Sequence, residues 1–225
     1  MNNVLVTIAP AMEAFTSMYS PARNAASAAP TAAAPMAAPA KVDASAPIEK
    51  KDTNGAFRKA HESFLARGKA GPVGLLFIGD SITHFWGGLP MAGKQGNRGT
   101  ESWQELFGAR PVLNLGFGWD RTQNVLKRIE LGELDDLKPK AIVIHIGTNN
   151  TAKTVNARDN TPEEIAAGVA AIIDKAKAKC PHAKIVLFAI FPRGQKPTDP
   201  KRALLASINE RLAPLGKQPG VTFVD

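Results

Sequence analysis

Short apolar runs separated by amphipathic stretches dominate the pattern of residues 57–225. Five runs are rich in Val, Ile, Leu and Phe, which is typical of buried parallel strands: residues 73–78, 111–115, 141–146, 184–191 and 221–224. Helical patterns lie between them. Strands that alternate with helices at this spacing predict right-handed βαβ units and an α/β fold, with a parallel sheet covered on both faces.

Two of the helical patterns have clear N-terminal signals. Thr161 is followed by Pro162 at the first helical position and by Glu164, which completes a capping box, so a helix is predicted over residues 162–179. Asp199 and Pro200 begin a second helix. Its apolar positions are Leu204, Leu205, Ile208 and Leu212. A third helix is predicted around residues 57–67.

The first 50 residues differ from the rest of the chain in composition. They are rich in Ala and Pro, carry three basic and three acidic residues, and show no sustained apolar period. We expect residues 1–50 to form a disordered, semi-extended segment and residues 51–225 to form the folded domain. The apolar patch at residues 4–8 is too short to span a membrane. An Ala/Pro-rich segment of this kind favours export to the periplasm or cell exterior, whereas the single cysteine, Cys180, indicates no compartment.

The formal net charge is +8 at pH 7, so a nucleic-acid partner has to be considered. The basic residues are scattered among acidic ones, as in residues 127–130, without interleaved exposed aromatic residues. A solvated basic face is therefore the preferred interpretation. The sequence has no His/Cys spacing typical of a metal site and no phosphate-binding Gly-Lys-Ser/Thr loop, so we expect no metal and no organic cofactor.

A Gly79-Asp80-Ser81 turn follows the first predicted strand directly. In α/β proteins, reactive groups collect at the carboxyl ends of parallel strands, where the next helix offers backbone N–H groups to an anion. Ser81 is therefore a candidate nucleophile. Asp and Ser are also common N-cap residues, so helix capping alone is an alternative interpretation of this turn.

Two further polar turns follow the second and third predicted strands. Gly116 and Gly118 allow backbone N–H groups to point into a site, and Asn149 can place a side-chain amide beside them. Taken singly, these turns could be an ordinary strand-to-helix connection and a polar loop. Acyl transfer needs a nucleophile, a base and donors for the oxyanion, and the three turns supply the first and the last of these.

Taken together, the three segments resemble the SGNH, or GDSL, hydrolase family. The segments are Gly79-Asp80-Ser81, residues 114–118 with Thr122, and Gly147-Thr148-Asn149. Residues 122–128, 132–134, 138–140 and 192–194 are most similar to the branch that holds the platelet-activating-factor acetylhydrolase catalytic subunits and related bacterial acetylesterases. The resemblance implies a flavodoxin-like three-layer α/β/α sandwich with a five-stranded parallel sheet of order 2-1-3-4-5.

The resemblance also implies a role for each matching residue. Ser81 is the expected nucleophile, and its own N–H, a backbone N–H of the second segment and the Asn149 side chain form the expected oxyanion hole. Trp119 stands where family members usually have glycine. Its backbone N–H remains available, but a positive φ would be costly there, and its indole could line the acyl pocket. We expect Asp80, Gly118 and His84 to contact the substrate.

The general base is the part of the family pattern that the sequence does not supply. An Asp-x-x-His segment does not occur before Asp225. We therefore expect a shortened domain that lacks its last helix, leaves an apolar strip of the sheet uncovered and retains little activity. Of the four histidines, His182 is expected at the opposite edge of the sheet, His145 in the core and His61 on an earlier helix. His84 lies three residues after Ser81 and is the remaining candidate base.

The sequence thus predicts a carboxylic-ester hydrolase that removes short acyl groups, such as acetyl, from a small-molecule lipid or carbohydrate ester. A non-catalytic binding module for an acylated sugar or lipid is the alternative, and the missing Asp-x-x-His favours it. A nucleic-acid binder would need the positive charge gathered on one face. We expect no nucleic-acid partner and no membrane span, and a homodimer is compatible with the sequence.

Overall fold

The computed structural model of the protein describes residues 43–50, 55–86, 98–153 and 157–225. Its strands are β1 (Leu75–Gly79), β2 (Val112–Gly116), β3 (Ala141–His145), β4 (Lys184–Phe188) and β5 (Val221–Val224). All are parallel and form one sheet in the order β2-β1-β3-β4-β5. The predicted α/β fold and strand order are therefore confirmed, and the strand ends differ from the predicted ones by no more than three residues.

Helices connect the strands and flank the sheet. They are α1 (Ala56–Lys69), α2 (Ser81–Phe85), α3 (Thr100–Phe107), α4 (Thr122–Glu130), α5 (Pro162–Lys179) and α6 (Pro200–Leu212), with 3₁₀ turns at Thr148–Thr151 and Ala213–Lys217. The two predicted caps are confirmed: the Glu164 N–H donates to Thr161 Oγ1 at 3.2 Å, and the Lys201 N–H donates to Asp199 Oδ1 at 2.9 Å. Within the described ranges, no helix combines the length and apolar character needed to cross a bilayer.

The two faces of the sheet carry cores of different size. The larger core joins the sheet to α1, α4, α5 and α6, and the smaller one gathers aromatic side chains of α3 around the other face. On that second face Val143, Val186 and Phe188 are only 1%, 3% and 7% exposed. The expectation of an uncovered apolar strip is therefore wrong for β3 and β4. The aromatic cluster and its neighbour Phe191 pack against this face of both strands.

Residues 43–50 pack against the domain, and we call them the N-terminal strap. Ala44 is fully buried, and its carbonyl accepts a hydrogen bond from Thr122 Oγ1 at 2.8 Å. The Ile48 N–H donates to the Gln123 carbonyl at 3.1 Å. These contacts run against the expectation of disorder over residues 1–50, because Ala/Pro-rich composition does not reveal contacts with residues far away in the sequence. Residues 1–42 lie outside the described residues.

A buried network of charged side chains holds α4 to its surroundings. The Arg128 guanidinium is only 1% exposed, and it donates to Asp120 Oδ2 and to the Leu115 carbonyl, each at 2.9 Å. It also pairs with Glu133, whose second oxygen lies 2.7 Å from His61 Nδ1. The network thus connects α1, the end of β2, the loop before α4 and the turn after it.

Removing the cation at the centre of this network should destabilise the fold strongly. In Arg128→Met, the carboxylates of Asp120 and Glu133 lose a buried partner, and we expect a loss of about 3–5 kcal/mol in the free energy of unfolding. Urea denaturation followed by circular dichroism measures it. Lys127→Met, on the solvent side of the same helix, is the control and should cost less than about 0.5 kcal/mol. Equal stability of the two variants would contradict the role given to Arg128.

Candidate active site

Ser81 lies at the carboxyl end of β1, as the first residue of α2. Asp80 caps this short helix, since its Oδ1 accepts a hydrogen bond from the Ile82 N–H at 2.9 Å. The turn is tight: a β-carbon at Gly79 would lie 2.0 Å from the Thr83 hydroxyl oxygen. Helix capping and presentation of Ser81 are therefore compatible here, because Asp80 does the capping and leaves the Ser81 side chain beside the sheet edge.

Asn114 fixes the helix that carries Ser81. From within β2, its Nδ2 donates to the carbonyl of Thr83 at 2.8 Å and to that of Trp86 at 3.1 Å. Its Oδ1 accepts from the Gly116 N–H at 2.8 Å. One buried amide thus joins the C-terminal end of α2 to the start of the loop that follows β2, so Ser81 and that loop keep a defined relative position.

The loop after β2 presents Trp119 at its tip. The Phe117 N–H donates to the Gly79 carbonyl at 3.1 Å, and the Asp120 N–H donates back to the Phe117 carbonyl at 3.2 Å. Trp119 has φ = 65°, the left-handed conformation that glycine adopts readily, and its side chain is 70% exposed. The positive φ that seemed costly at this position is thus the one that the chain adopts, and contacts around the loop must offset its strain.

Asn149 joins the third strand end to the same loop. It lies in the 3₁₀ turn after β3, and its Nδ2 donates to the Asp120 carbonyl at 2.9 Å. A side-chain amide has two N–H donors, so this bond orients Asn149 and leaves the second donor for a ligand. The next residue, Asn150, is fully buried and accepts from the Thr122 N–H at 3.1 Å, which holds the turn against α4.

Ser81, Trp119 and Asn149 line one cleft of about 500 Å³. They come from the ends of β1, β2 and β3, which are neighbours in the sheet. The other lining residues are Ile82, Thr148, Phe191, Pro192, Arg193, Gly194, Gln195 and Arg202. The cleft thus brings Ser81, Asn149 and the tip of the loop after β2 around a space large enough for a small molecule.

Asp80, Gly118 and His84 do not line this cleft. Asp80 is fully buried as the helix cap, and His84 stacks against Phe117 with ring centroids 6.3 Å apart. Gly118 contributes its carbonyl to Lys50 of the strap. The expectation that these three residues contact the substrate is therefore not supported, because each of them makes contacts within the protein outside the cleft.

Burial sets the protonation of the Asp80 carboxyl. Removal from water raises the pKa of Asp80 to about 7, against the opposing effect of the Ile82 N–H, and Oδ2 is buried without a hydrogen-bond partner among the described residues. An uncharged carboxyl is favoured up to neutral pH. The residue directly before Ser81 is then uncharged.

The histidines do not place a base at Ser81 within the described part of the chain. His84 Nδ1 is buried without a hydrogen-bond partner there, and burial together with nearby cations lowers the pKa of His84. His145 is buried in β3 behind Phe191, and burial lowers its pKa to about 4. His61 bonds Glu133, and His182 lies in the turn before β4. The expected locations of His145 in the third strand, His61 on an earlier helix and His182 between a helix and the fourth strand are confirmed.

Sequence reasoning gave no site role to the residues that follow β4. Phe191, Arg193 and Gln195 line the cleft, and Arg193 Nη1 donates to the Thr148 carbonyl at 3.2 Å. The sequence places these residues directly after the fourth strand, and therefore at the edge of the sheet where the other site residues lie. This position could have identified them as site residues. Elsewhere in the described residues, no group of three or more His, Cys, Asp or Glu side chains could hold a metal ion.

Comparison with known proteins places this arrangement in a family. The model of the GDSL-like lipase/acylhydrolase family matches residues 77–225. The human platelet-activating factor acetylhydrolase IB subunit alpha2 is 36% identical over 166 residues, which cover 73% of this chain and 64% of that subunit. The human alpha1 subunit is 33% identical over 180 residues, which cover 80% of this chain and 70% of that subunit. The match therefore spans less than two thirds of the alpha2 subunit.

Solved structures share the fold at lower sequence identity. Axe2, an acetylxylan esterase from Geobacillus stearothermophilus, is 22% identical with a TM-score of 0.54, covering 70% of this chain and 78% of its own. LAE5, an alpha/beta hydrolase from the metagenome of Lake Arreo, is 19% identical with a TM-score of 0.53, covering 71% of this chain and 79% of its own. The chain belongs to the GDSL-like lipase/acylhydrolase family.

Proposed function

We propose that the protein is a serine carboxylic-ester hydrolase that removes short acyl groups through an acyl-enzyme on Ser81. The observation that supports this most strongly is the convergence of Ser81, Trp119 and Asn149 on one cleft. These are the residue types that acyl transfer needs at one point: a hydroxyl nucleophile and N–H donors for the oxyanion.

The reaction would proceed in two acyl-transfer steps. Ser81 Oγ attacks the ester carbonyl carbon, and the resulting oxyanion is bound by the N–H groups of Ser81 and Trp119 and by Asn149 Nδ2. The bond from this carbon to the alcohol oxygen then breaks, and the alcohol leaves with the proton that Ser81 gave up. Water attacks the acyl-enzyme in the second step, releases the carboxylic acid and restores the Ser81 hydroxyl.

The choice of a short acyl group rests on two observations. The cleft has a volume of about 500 Å³, and its walls include the Trp119 indole and Phe191. The relatives with more than 30% identity are named for acetyl hydrolysis, and a fold neighbour is named for deacetylating xylan. Acetyl esters of a lipid or of a sugar are therefore the substrates to test.

A non-catalytic binding module is the second candidate function. It is favoured by the absence, among the described residues, of a histidine that hydrogen-bonds the Ser81 hydroxyl, since both acyl-transfer steps need a base. The same cleft could then hold an acylated sugar or lipid without cleaving it. The two candidates differ in whether an acyl group reaches Ser81.

Acetyl transfer to Ser81 is the first expected outcome. Incubation of the chain with p-nitrophenyl acetate should release p-nitrophenol, by slow turnover or in a single burst that leaves an acetyl group on Ser81. Binding and the oxyanion donors alone supply about 10³–10⁴-fold catalysis over water, so the rate should be low if no base reaches Ser81. Ser81→Ala should abolish both. Absorbance at the nitrophenolate band and mass spectrometry of the Ser81 peptide measure the two products.

A serine outside the cleft provides the matched control for this experiment. Ser207 on α6 accepts a hydrogen bond from Arg211 and does not line the cleft, so Ser207→Ala should react like the wild type. If neither nitrophenol nor an acetyl-Ser81 peptide forms while a folded chain binds an acetylated sugar or lipid saturably, the hydrolase proposal fails and the binding module is preferred.

Asn149→Ala should lower the rate of acetyl transfer far more than it lowers stability. Loss of one oxyanion donor is expected to reduce kcat by about 10²–10³-fold, since the donor binds charge that develops only in the transition state. Steady-state or burst kinetics with p-nitrophenyl acetate measure it. Asn209→Ala, which also removes an amide bonded to backbone but lies outside the cleft, should lose stability and keep its rate. Equal rates in the two variants would remove Asn149 from the oxyanion hole.

The variants Trp119→Gly and Trp119→Ala distinguish the role of the Trp119 backbone from the role of its indole. Both keep the N–H, so both should retain kcat for p-nitrophenyl acetate, and KM should rise for bulkier acetyl esters that contact the indole. Glycine adopts a positive φ without strain, so Trp119→Gly should be more stable than Trp119→Ala by about 1 kcal/mol. Kinetics and urea denaturation test both points. A kcat loss as large as that of Asn149→Ala would instead assign the catalytic role to the indole.

A further inference from the structure

The N-terminal strap reaches the loop after β2, residues 117–121, through Lys50. Three backbone-directed hydrogen bonds anchor the strap on the start of α4, and the third runs from Asn124 Nδ2 to the Ile48 carbonyl at 3.1 Å. Gly168 of α5 makes room for it, because a β-carbon there would lie 2.6 Å from the Ala44 carbonyl oxygen. The strap therefore has a fixed course, and its last described residue is Lys50.

The Lys50 ammonium lies against three groups of the loop that carries Trp119. It donates to the Gly118 carbonyl oxygen and to Asp120 Oδ1, the latter at 3.0 Å, and lies 4.3 Å from the centre of the Phe117 ring. The Lys50 side chain is 21% exposed, so these contacts are partly shielded from solvent. Burial lowers the pKa of Lys50 and the Asp120 charge opposes this, so the contact depends on the pairing of the two residues.

The Gly118 carbonyl belongs to the same peptide unit as the Trp119 N–H. A trans peptide is planar, and its C=O and N–H bonds point in opposite directions. A cation on the Gly118 oxygen therefore fixes the plane of this unit with the Trp119 N–H directed away from Lys50. It also draws electron density from the amide, which makes the N–H a stronger donor.

The contact between Lys50 and the Gly118 carbonyl also helps to hold Trp119 in its strained backbone conformation. A tryptophan at φ = 65° is held in a sparsely populated conformation, and such residues persist only where the surroundings over-determine them. Here Lys50 holds the peptide before Trp119, and Asn149 holds the carbonyl of Asp120 after it. The strained residue is thus clamped on both sides.

We propose that Lys50 is a positioning residue that clamps the Gly118–Trp119 peptide and keeps the Trp119 N–H in place as an oxyanion donor. The effect of this clamp on catalysis rests on the proposed function. It makes the N-terminal strap, which precedes the region that matches the family model, part of the active-site architecture.

Lys50→Met, Lys50→Arg and the control Lys59→Met test the clamp in the full chain. Hydrogen exchange measured by mass spectrometry should show faster exchange at residues 117–122 in Lys50→Met and unchanged exchange in β3. The kcat for acetyl transfer from p-nitrophenyl acetate should fall about ten- to a hundredfold with little change in KM, because the lost contact acts on the transition state. Lys50→Arg keeps a cation with several donors and should recover most of kcat, whereas Lys59→Met, on the exposed side of α1, should match the wild type.

Two outcomes would overturn the clamp. One is unchanged exchange at residues 117–122 in Lys50→Met; the other is faster exchange with an unaltered kcat. If the wild-type chain itself transfers no acetyl group, the proposed function fails, and the exchange measurement alone then decides whether Lys50 holds the loop. If Lys50→Met does not fold, as judged by circular dichroism, Lys50→Gln is tested instead. This variant keeps a hydrogen-bond donor without the charge, so it should show a smaller increase in exchange at residues 117–122 and a smaller loss of kcat.

Discussion

The buried carboxylate of Asp120 imposes the constraint on which the candidate site depends. Asp120 has no exposed surface, so its charge needs cations close by, and it receives Arg128 from α4 and Lys50 from the strap. Burial acts to raise the pKa of Asp120, and both cations act against it. Because the Asp120 carbonyl also accepts a hydrogen bond from the Asn149 amide, the pairing that stabilises this charge holds the loop after β2 as well.

The contacts around Asp120 also hold Trp119 in its strained backbone conformation. Trp119 adopts a positive φ that glycine would adopt without strain, and the hydrogen bonds on either side hold it there. The indole is largely exposed at the cleft, so it is free to contact the substrate. In the proposed reaction, the backbone of Trp119 would serve as an oxyanion donor, while its side chain would contact the ester.

The sequence was informative where the signals are local. Five apolar runs, the Thr161–Glu164 capping box and the polar turns after the first three strands predicted the sheet, the helix starts and the placement of Ser81 and Asn149. The strap was missed because its contacts join residues about 70 positions apart, such as Lys50 and Asp120, and leave no periodic pattern. Arg193 was missed for the same reason, since its bond to Thr148 spans two strand-end loops.

The proposed function requires that Ser81, the Trp119 N–H and the Asn149 amide converge on one oxyanion. The most direct test is a crystal structure of the chain after reaction with a small fluorophosphonate, which forms a tetrahedral adduct at an activated serine. We expect phosphorus bonded to Ser81 Oγ, with one phosphoryl oxygen accepting hydrogen bonds from the Trp119 N–H and from Asn149 Nδ2. An adduct whose oxygen points away from both donors, or a Trp119 N–H turned out of the cleft, would contradict it.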